Sequence, residues 1–149
     1  MLGSRDDADD VGQETFVRFY QSLDKFRGES SVRTYLVRIA MSAALNALRS
    51  TRRRELRFVS NDTAIEQAVD PSAAAAPGDE NTAGRIQAAL AALNPEHRAV
   101  VVLRLLDERS TKEAAEILQI PEGTVLSRLS RAVRQLRVTL GPVWEELSE

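Results

Sequence analysis

STKEAAEILQIPEGTVLSRLSRAVRQL, residues 110–136, decides the fold class. Ser110-Thr111-Lys112-Glu113 fits a capping box, in which a hydroxyl and a carboxylate three residues apart each satisfy the other's end of the helix backbone. Ala114, Ala115, Ile117 and Leu118 continue it as a short helix with small residues. Gln119-Ile120-Pro121-Glu122-Gly123 breaks that helix, and Thr124 opens another that runs to about Leu140. Val125, Leu129, Val133 and Leu136 give the second helix an apolar stripe, while Arg128, Arg131 and Arg134 follow one another at three-residue steps on the opposite side. A short helix, a tight turn and a basic amphipathic helix make a helix-turn-helix. Such a unit lays its second helix in a major groove, with Thr124 and Ser127 placed to hold phosphate at the positive helix end. Arg128 and Arg131 reach base edges or phosphates, the planar guanidinium being suited to guanine. The plain alternative is a solvated basic helix on an ordinary bundle.

Upstream of this unit the same periodicity recurs. Asn94-Pro95 reads as an N-cap followed by proline at the first helical position, opening a helix through about Leu106. Ile86, Leu90 and Leu93 mark the helix before it. Residues 70–79, Ala-rich between two prolines and without periodicity, read as linker. Before the linker, a helix is expected from Val32 to about Arg53, with Leu36, Ile39, Ala43 and Leu48 roughly on one face and Ser31 as N-cap. A turn at Phe26-Arg27-Gly28-Glu29-Ser30-Ser31 separates it from a first helix. There Val11, Phe16, Phe19, Tyr20 and Leu23 can line one stripe, and Asp10, Gln13 and Glu14 another face. Strand patterns hardly occur. The expected fold is all-α, with two small helical domains joined by a flexible linker: residues 1–57, a linker over 58–83, a helix-turn-helix domain over 84–140, and an acidic tail over 141–149 to which the sequence assigns no role.

Charge is distributed rather than net. The formal total is −2, yet residues 31–60 carry seven arginines against one glutamate. Residues 98–140 carry eight bases against five acids, and the spacer between holds one base and six acids. Two basic blocks around an acidic spacer suggest two polyanion contacts. Arg49, Arg52, Arg53 and Arg54 could neutralise phosphates, although cations also gather at helix C-termini to complement the dipole. Asp7, Asp9, Asp10 and Glu14 are by default a solvated helix start, and otherwise a docking face for a basic partner.

Other classes fall away. The chain has no cysteine, so disulfides and thiol chemistry are excluded and a reducing cytoplasm is the expected location. No apolar run is long enough to insert into a membrane. His97, the sole histidine, sits among helix-start residues, and no glycine-rich phosphate loop, metal-ligand spacing or nucleophile elbow occurs. No catalysis, cofactor or metal is expected.

Four segments in order resemble one family. Asp7-Ala8-Asp9-Asp10-Val11-Gly12-Gln13-Glu14-Thr15-Phe16 resembles the polymerase-docking segment of extracytoplasmic-function sigma factors. Phe26 through Leu36 is similar to the loop-to-helix element that follows it, and Arg38-Ile39-Ala40 through Leu48-Arg49 to the promoter-melting helix. Gly123 through Ala132 resembles the recognition helix. The resemblance implies that Asp7, Asp9, Asp10, Gln13 and Glu14 meet the clamp helices of the β′ subunit of core RNA polymerase. It implies that residues 26–33, with Phe26, Arg27 and Arg33, surround a base flipped from the melted non-template strand, and that Arg38, Arg49, Arg52 and Arg53 line that strand or its adjoining duplex. Thr124, Ser127, Arg128 and Arg131 would read the minus-thirty-five duplex, with the C-terminal domain on the β flap. An anti-sigma factor is a further expected partner.

The departures from the pattern also carry expectations. Ser42 and Asn46 replace a common Asn and Asp, and Leu126 stands where a base is usual. Gln119 replaces a common glycine and should cost about 1 kcal/mol if its backbone is left-handed. Met1-Leu2-Gly3-Ser4 looks like the interior of the pattern, so a preceding helix of about 20 residues would be missing, leaving Val11, Phe16, Phe19 and Leu36 partly exposed. Two rival readings are a free-standing regulator that binds duplex DNA without polymerase, and a helical interaction protein with no DNA role.

Overall fold

The structure is a computed structural model that describes residues 1–61, 79–141 and 143–144. The described residues contain no strand and form six α-helices: α1 (Arg5–Ser22), α2 (Val32–Asn61), α3 (Asp79–Ala92), α4 (Pro95–Val101), α5 (Thr111–Leu118) and α6 (Glu122–Leu140). The all-α expectation holds. Residues 62–78, the greater part of the expected linker, and the tail beyond Trp144 lie outside the described residues.

Local signals explain most boundaries. Ser4 caps α1 by accepting from the Asp7 amide at 3.4 Å, and Asp6 and Asp7 fill the first turn, where negative charge complements the dipole. A 3₁₀ turn over Leu23–Lys25 leads into the loop before α2, where Gly28 takes φ 71°, a backbone that favours glycine. Ser31 does cap α2, accepting from the Thr34 amide at 3.1 Å. That helix continues past the expected end near Arg53, because Arg54, Glu55, Leu56 and Arg57 supply no breaker.

The packed face of α1 differs from the expected stripe. Val11 and Thr15 are buried and Phe19 half-buried, whereas Phe16 is 67 % and Tyr20 78 % exposed. Thr15 can be buried because its hydroxyl donates to the Val11 carbonyl at 2.7 Å, so no polar group is stranded. Val11 packs on Ala43 and Ala44 of α2, where small side chains let the two helices approach closely. Phe26 and Phe19 close the end of this pair around Tyr35, with ring centroids 5.0 and 6.1 Å from the tyrosine ring.

The C-terminal unit is built around α6. Val125 and Ala132 are fully buried and Leu136 and Leu140 nearly so, close to the stripe read from the sequence. Helix α4 continues into a π-helical turn over Val102–Leu106, with the Asp107 amide donating to the Val102 carbonyl at 2.9 Å. The capping box of α5 is complete: Ser110 Oγ accepts from the Glu113 amide at 3.1 Å, and Glu113 accepts from the Ser110 amide at 2.8 Å. Val143 is buried beside Leu136 and Leu140, and Trp144 lies 5.8 Å from the Arg137 guanidinium carbon, so the start of the tail belongs to the core.

Arg98 is 92 % buried, as its 8 % exposure gives. It donates to the Ala91 and Leu93 carbonyls at 2.6 and 3.2 Å and to the Met1 carbonyl at 3.0 Å. It thereby satisfies carbonyls that the end of α3 leaves without helical partners. Burial pushes its pKa down, yet a guanidinium keeps its charge across the working range.

Gln119 adopts φ 54° and ψ 47° at the end of α5, the left-handed backbone that glycine takes freely. Gln119→Gly should therefore stabilise the chain by about 1 kcal/mol, and Ser110→Ala should destabilise it by about the same amount. Thermal unfolding of the two variants should show midpoint shifts of opposite sign.

Candidate nucleic-acid interface

Three surfaces carry the residues singled out in the sequence. On α1, Asp7, Asp9, Asp10, Gln13 and Glu14 are all exposed, with Asp9, Asp10 and Gln13 on the side away from the buried Val11 and Thr15. Glu14 meets Arg18 at 2.5 Å, a solvated pair one turn apart that leaves most of the face acidic.

The second surface runs from the loop before α2 along α2 itself. Lys25, Phe26, Arg27, Glu29, Ser30, Tyr35 and Arg38 line a cleft of about 110 Å³. Its floor is the Phe26–Tyr35 ring pair and its rim is charged, which suits a flat aromatic ligand carrying phosphate. Arg33, Arg52 and Arg53 are exposed. Arg38 and Arg49 are engaged instead: Arg38 faces Glu116 at 3.6 Å, and Arg49 donates from both Nε and Nη2 to Glu96 Oε1 at 2.9 Å. The loop cleft and the arginines on α2 lie on consecutive elements.

The third surface is α6. Its N-cap position is Pro121, which offers no side-chain cap, so the positive end of a 19-residue helix is left open beside Thr124 and Ser127. Ser127 donates to the Thr124 carbonyl at 3.1 Å. Arg134 is exposed opposite Val125 and Leu136, Arg131 is exposed beside it, and Arg128 is half-buried at the edge of the apolar stripe.

Two functional groups escaped sequence reasoning. Glu96 reads as an ordinary first-turn acid, yet its carboxylate lies against Arg49 and within the field of Arg128. Burial alone would raise its pKa, but its own backbone hydrogen bond, Arg49 and Arg128 together hold it below the usual range. Nothing in local pattern points across 47 residues to Arg49. Arg109 was likewise passed over: it joins Asp107 at 2.6 Å and Glu113 at 3.7 Å, fixing the approach to α5. His97 stays close to a structural role, its amide donating to Asn94 Oδ1 at 2.8 Å. Burial, then Arg128 and Arg131, lower its pKa and favour the neutral ring.

The comparisons with known proteins converge on one family. Residues 1–54 match the family model described as Sigma-70 region 2, and residues 83–136 match Sigma-70, region 4. The chain is 32 % identical to the RNA polymerase sigma-H factor of Pseudomonas aeruginosa, over 94 % of this chain and 76 % of that protein. It is also 32 % identical to the ECF RNA polymerase sigma factor SigW of Bacillus subtilis, over 94 % and 79 % respectively. In fold it is similar to the sigma factor RpoE of Bartonella quintana, solved in complex with the anti-sigma factor NepR (TM-score 0.65, 24 % identity, 94 % of this chain and 84 % of that one). CnrH, solved with the cytosolic domain of CnrY, is a second such neighbour (TM-score 0.61, 27 % identity, 92 % and 73 %). With both conserved regions matched in order and relatives aligned over most of their length, the chain belongs to the sigma-70 family, among its extracytoplasmic-function members.

Proposed function

We propose that this chain directs core RNA polymerase to promoters through three surfaces, with no chemistry of its own. The acidic face of α1 docks on basic helices of the polymerase. The Phe26–Tyr35 cleft and the arginines of α2 take the melted non-template strand of the minus-ten element, and α6 takes the minus-thirty-five duplex. An unstacked base costs a few kcal/mol to extrude; the aromatic floor at Phe26 and the phosphate contacts of Arg27 and Arg33 offset that cost. Joining two modest DNA contacts on one chain raises the effective concentration of each for the other.

The observation that carries this reading is the presence on one chain of an exposed acidic helix face, an aromatic cleft ringed by charge and a separate basic recognition helix. A free-standing regulator needs only the last, and the match of residues 1–54 to region 2 has no place in it. A solved neighbour bound to an anti-sigma factor supports an anti-sigma factor as a further partner. No helix among the described residues is long and apolar enough to cross a membrane.

Transcription in vitro with bacterial core polymerase tests the proposal. Asp10→Lys with Glu14→Lys should abolish polymerase-dependent initiation while leaving duplex binding by the chain alone intact; initiation at the wild-type rate would refute the docking role. Arg128→Ala with Arg131→Ala should weaken duplex binding at least about tenfold, since each lost arginine contact to a base costs about 1–3 kcal/mol. Duplex affinity should also fall with salt, with a log–log slope of about −0.9 per phosphate neutralised. A salt-insensitive complex would exclude the phosphate contacts assigned to α6.

A further inference from the structure

Helix α6 carries apolar residues of two kinds. Val125, Ala132, Leu136 and Leu140 are buried and Leu129 is half-buried, in the helix face that meets α3, α4 and α5. Leu126 and Val138 stand outside that face, 54 % and 80 % exposed. A single leucine on a surface is ordinary, so its position decides whether it matters. A recognition helix contacts base edges with its first turns. Leu126 is the fifth residue of α6, whereas Val138 lies about 18 Å further along the axis.

The surroundings of Leu126 suit a base edge. One turn before it is Gly123 and one turn after it is Ser130, both exposed. Nothing lies within 4 Å of the point where a Gly123 side chain would begin. Small groups on either side let a duplex approach closely, with Leu126 as the bulky apolar group at that approach. Glu122, four residues before Leu126, is exposed as well. Its carboxylate repels phosphate, so this edge of α6 suits the floor of a groove rather than its sugar-phosphate wall. Arg131 and Arg134, further round the exposed surface, supply the cationic contacts. An isobutyl side chain has no hydrogen bond to offer, and it strips water from any polar group that it covers. Among the groups that the four bases display in the major groove, the C5-methyl of thymine is the apolar one.

We propose that Leu126 reads a thymine in the duplex bound by α6, packing its side chain on the C5-methyl group. The inference rests on the duplex-binding role given to α6 above. It makes Leu126 a determinant of which minus-thirty-five sequence this chain selects, beside the arginines that supply charge. Burying one methyl group in this way corresponds to about fourfold in affinity.

The test isolates the methyl group. The full chain with core polymerase selects from a pool of duplexes randomised across the minus-thirty-five segment, and the bound duplexes are sequenced. The chain should select thymine at one position, and Leu126→Ala should lose that preference while keeping the others. Val138→Ala should keep all of them. In the selected duplex, 2′-deoxyuridine then replaces that thymidine, which removes the methyl and leaves every hydrogen-bonding group in place. The wild-type chain should bind the uracil duplex about fourfold more weakly, and Leu126→Ala should bind the two alike. Leu126→Arg should shift the preference at that position from thymine to guanine, whose O6 and N7 accept from a guanidinium. Alanine and arginine are good helix formers, so circular dichroism should show unchanged helicity in both Leu126 variants.

A selected sequence without a Leu126-dependent thymine would overturn the inference, as would equal affinity of the wild-type chain for the thymine and uracil duplexes. In both cases a duplex has been selected, so the role of α6 stands. Selection of no sequence at all, with no further loss on Arg128→Ala with Arg131→Ala, would overturn that role together with the reading of Leu126.

Discussion

Helix α2 must be buried along two sides at once, and the rest of the structure is arranged around that requirement. Its Met41-Ser42-Ala43-Ala44 turn alternates the demands: Ala43 and Ala44 admit α1 at close range, and Met41 enters the C-terminal unit. Small side chains on the first side bring backbones together, while a flexible thioether on the second fills an irregular gap between α4 and α5. Ser42 and Asn46 stay exposed between the two contacts. A helix so placed has little free perimeter, and what remains carries arginine.

That geometry ties function to packing. The arginines proposed for the melted strand lie at the rim of an apolar contact, where carboxylates of the C-terminal unit come within reach of them. Arg38 shows the tension. Its Nε is buried with no hydrogen-bond partner while its Nη2 lies 3.6 Å from Glu116 Oε1. A guanidinium held in this way is poorly satisfied by its protein neighbours. The recognition helix differs. Its apolar stripe is buried at Val125, Ala132, Leu136 and Leu140, while Arg131 and Arg134 on its basic side are exposed and Arg128 nears Glu96.

Arg98 and Arg109 do quieter work in the C-terminal unit. Both are drawn inward, because the ends of short helices leave main-chain carbonyls and acidic caps that need donors. Arg98 closes the end of α3, and Arg109 gathers Asp107 and Glu113 ahead of α5.

The helical class, the helix-turn-helix with its capping box and the family were legible in the chain's own pattern, because each depends on neighbours within a few residues, whereas the start of α6 lies at Glu122, two residues before the expected Thr124. Capping and helical periodicity are local physics, and four motifs in order specify a family that no single motif does. Tertiary structure alone decided which side of α1 is buried, since Val11–Thr15 and Phe16–Tyr20 are equally spaced and only the position of Ala43 and Ala44 selects between them. It alone placed Met41 in the other unit's core and Glu96 on Arg49. Those contacts join residues 47 or more positions apart, a separation at which periodicity and charge pattern along the chain no longer constrain what meets what.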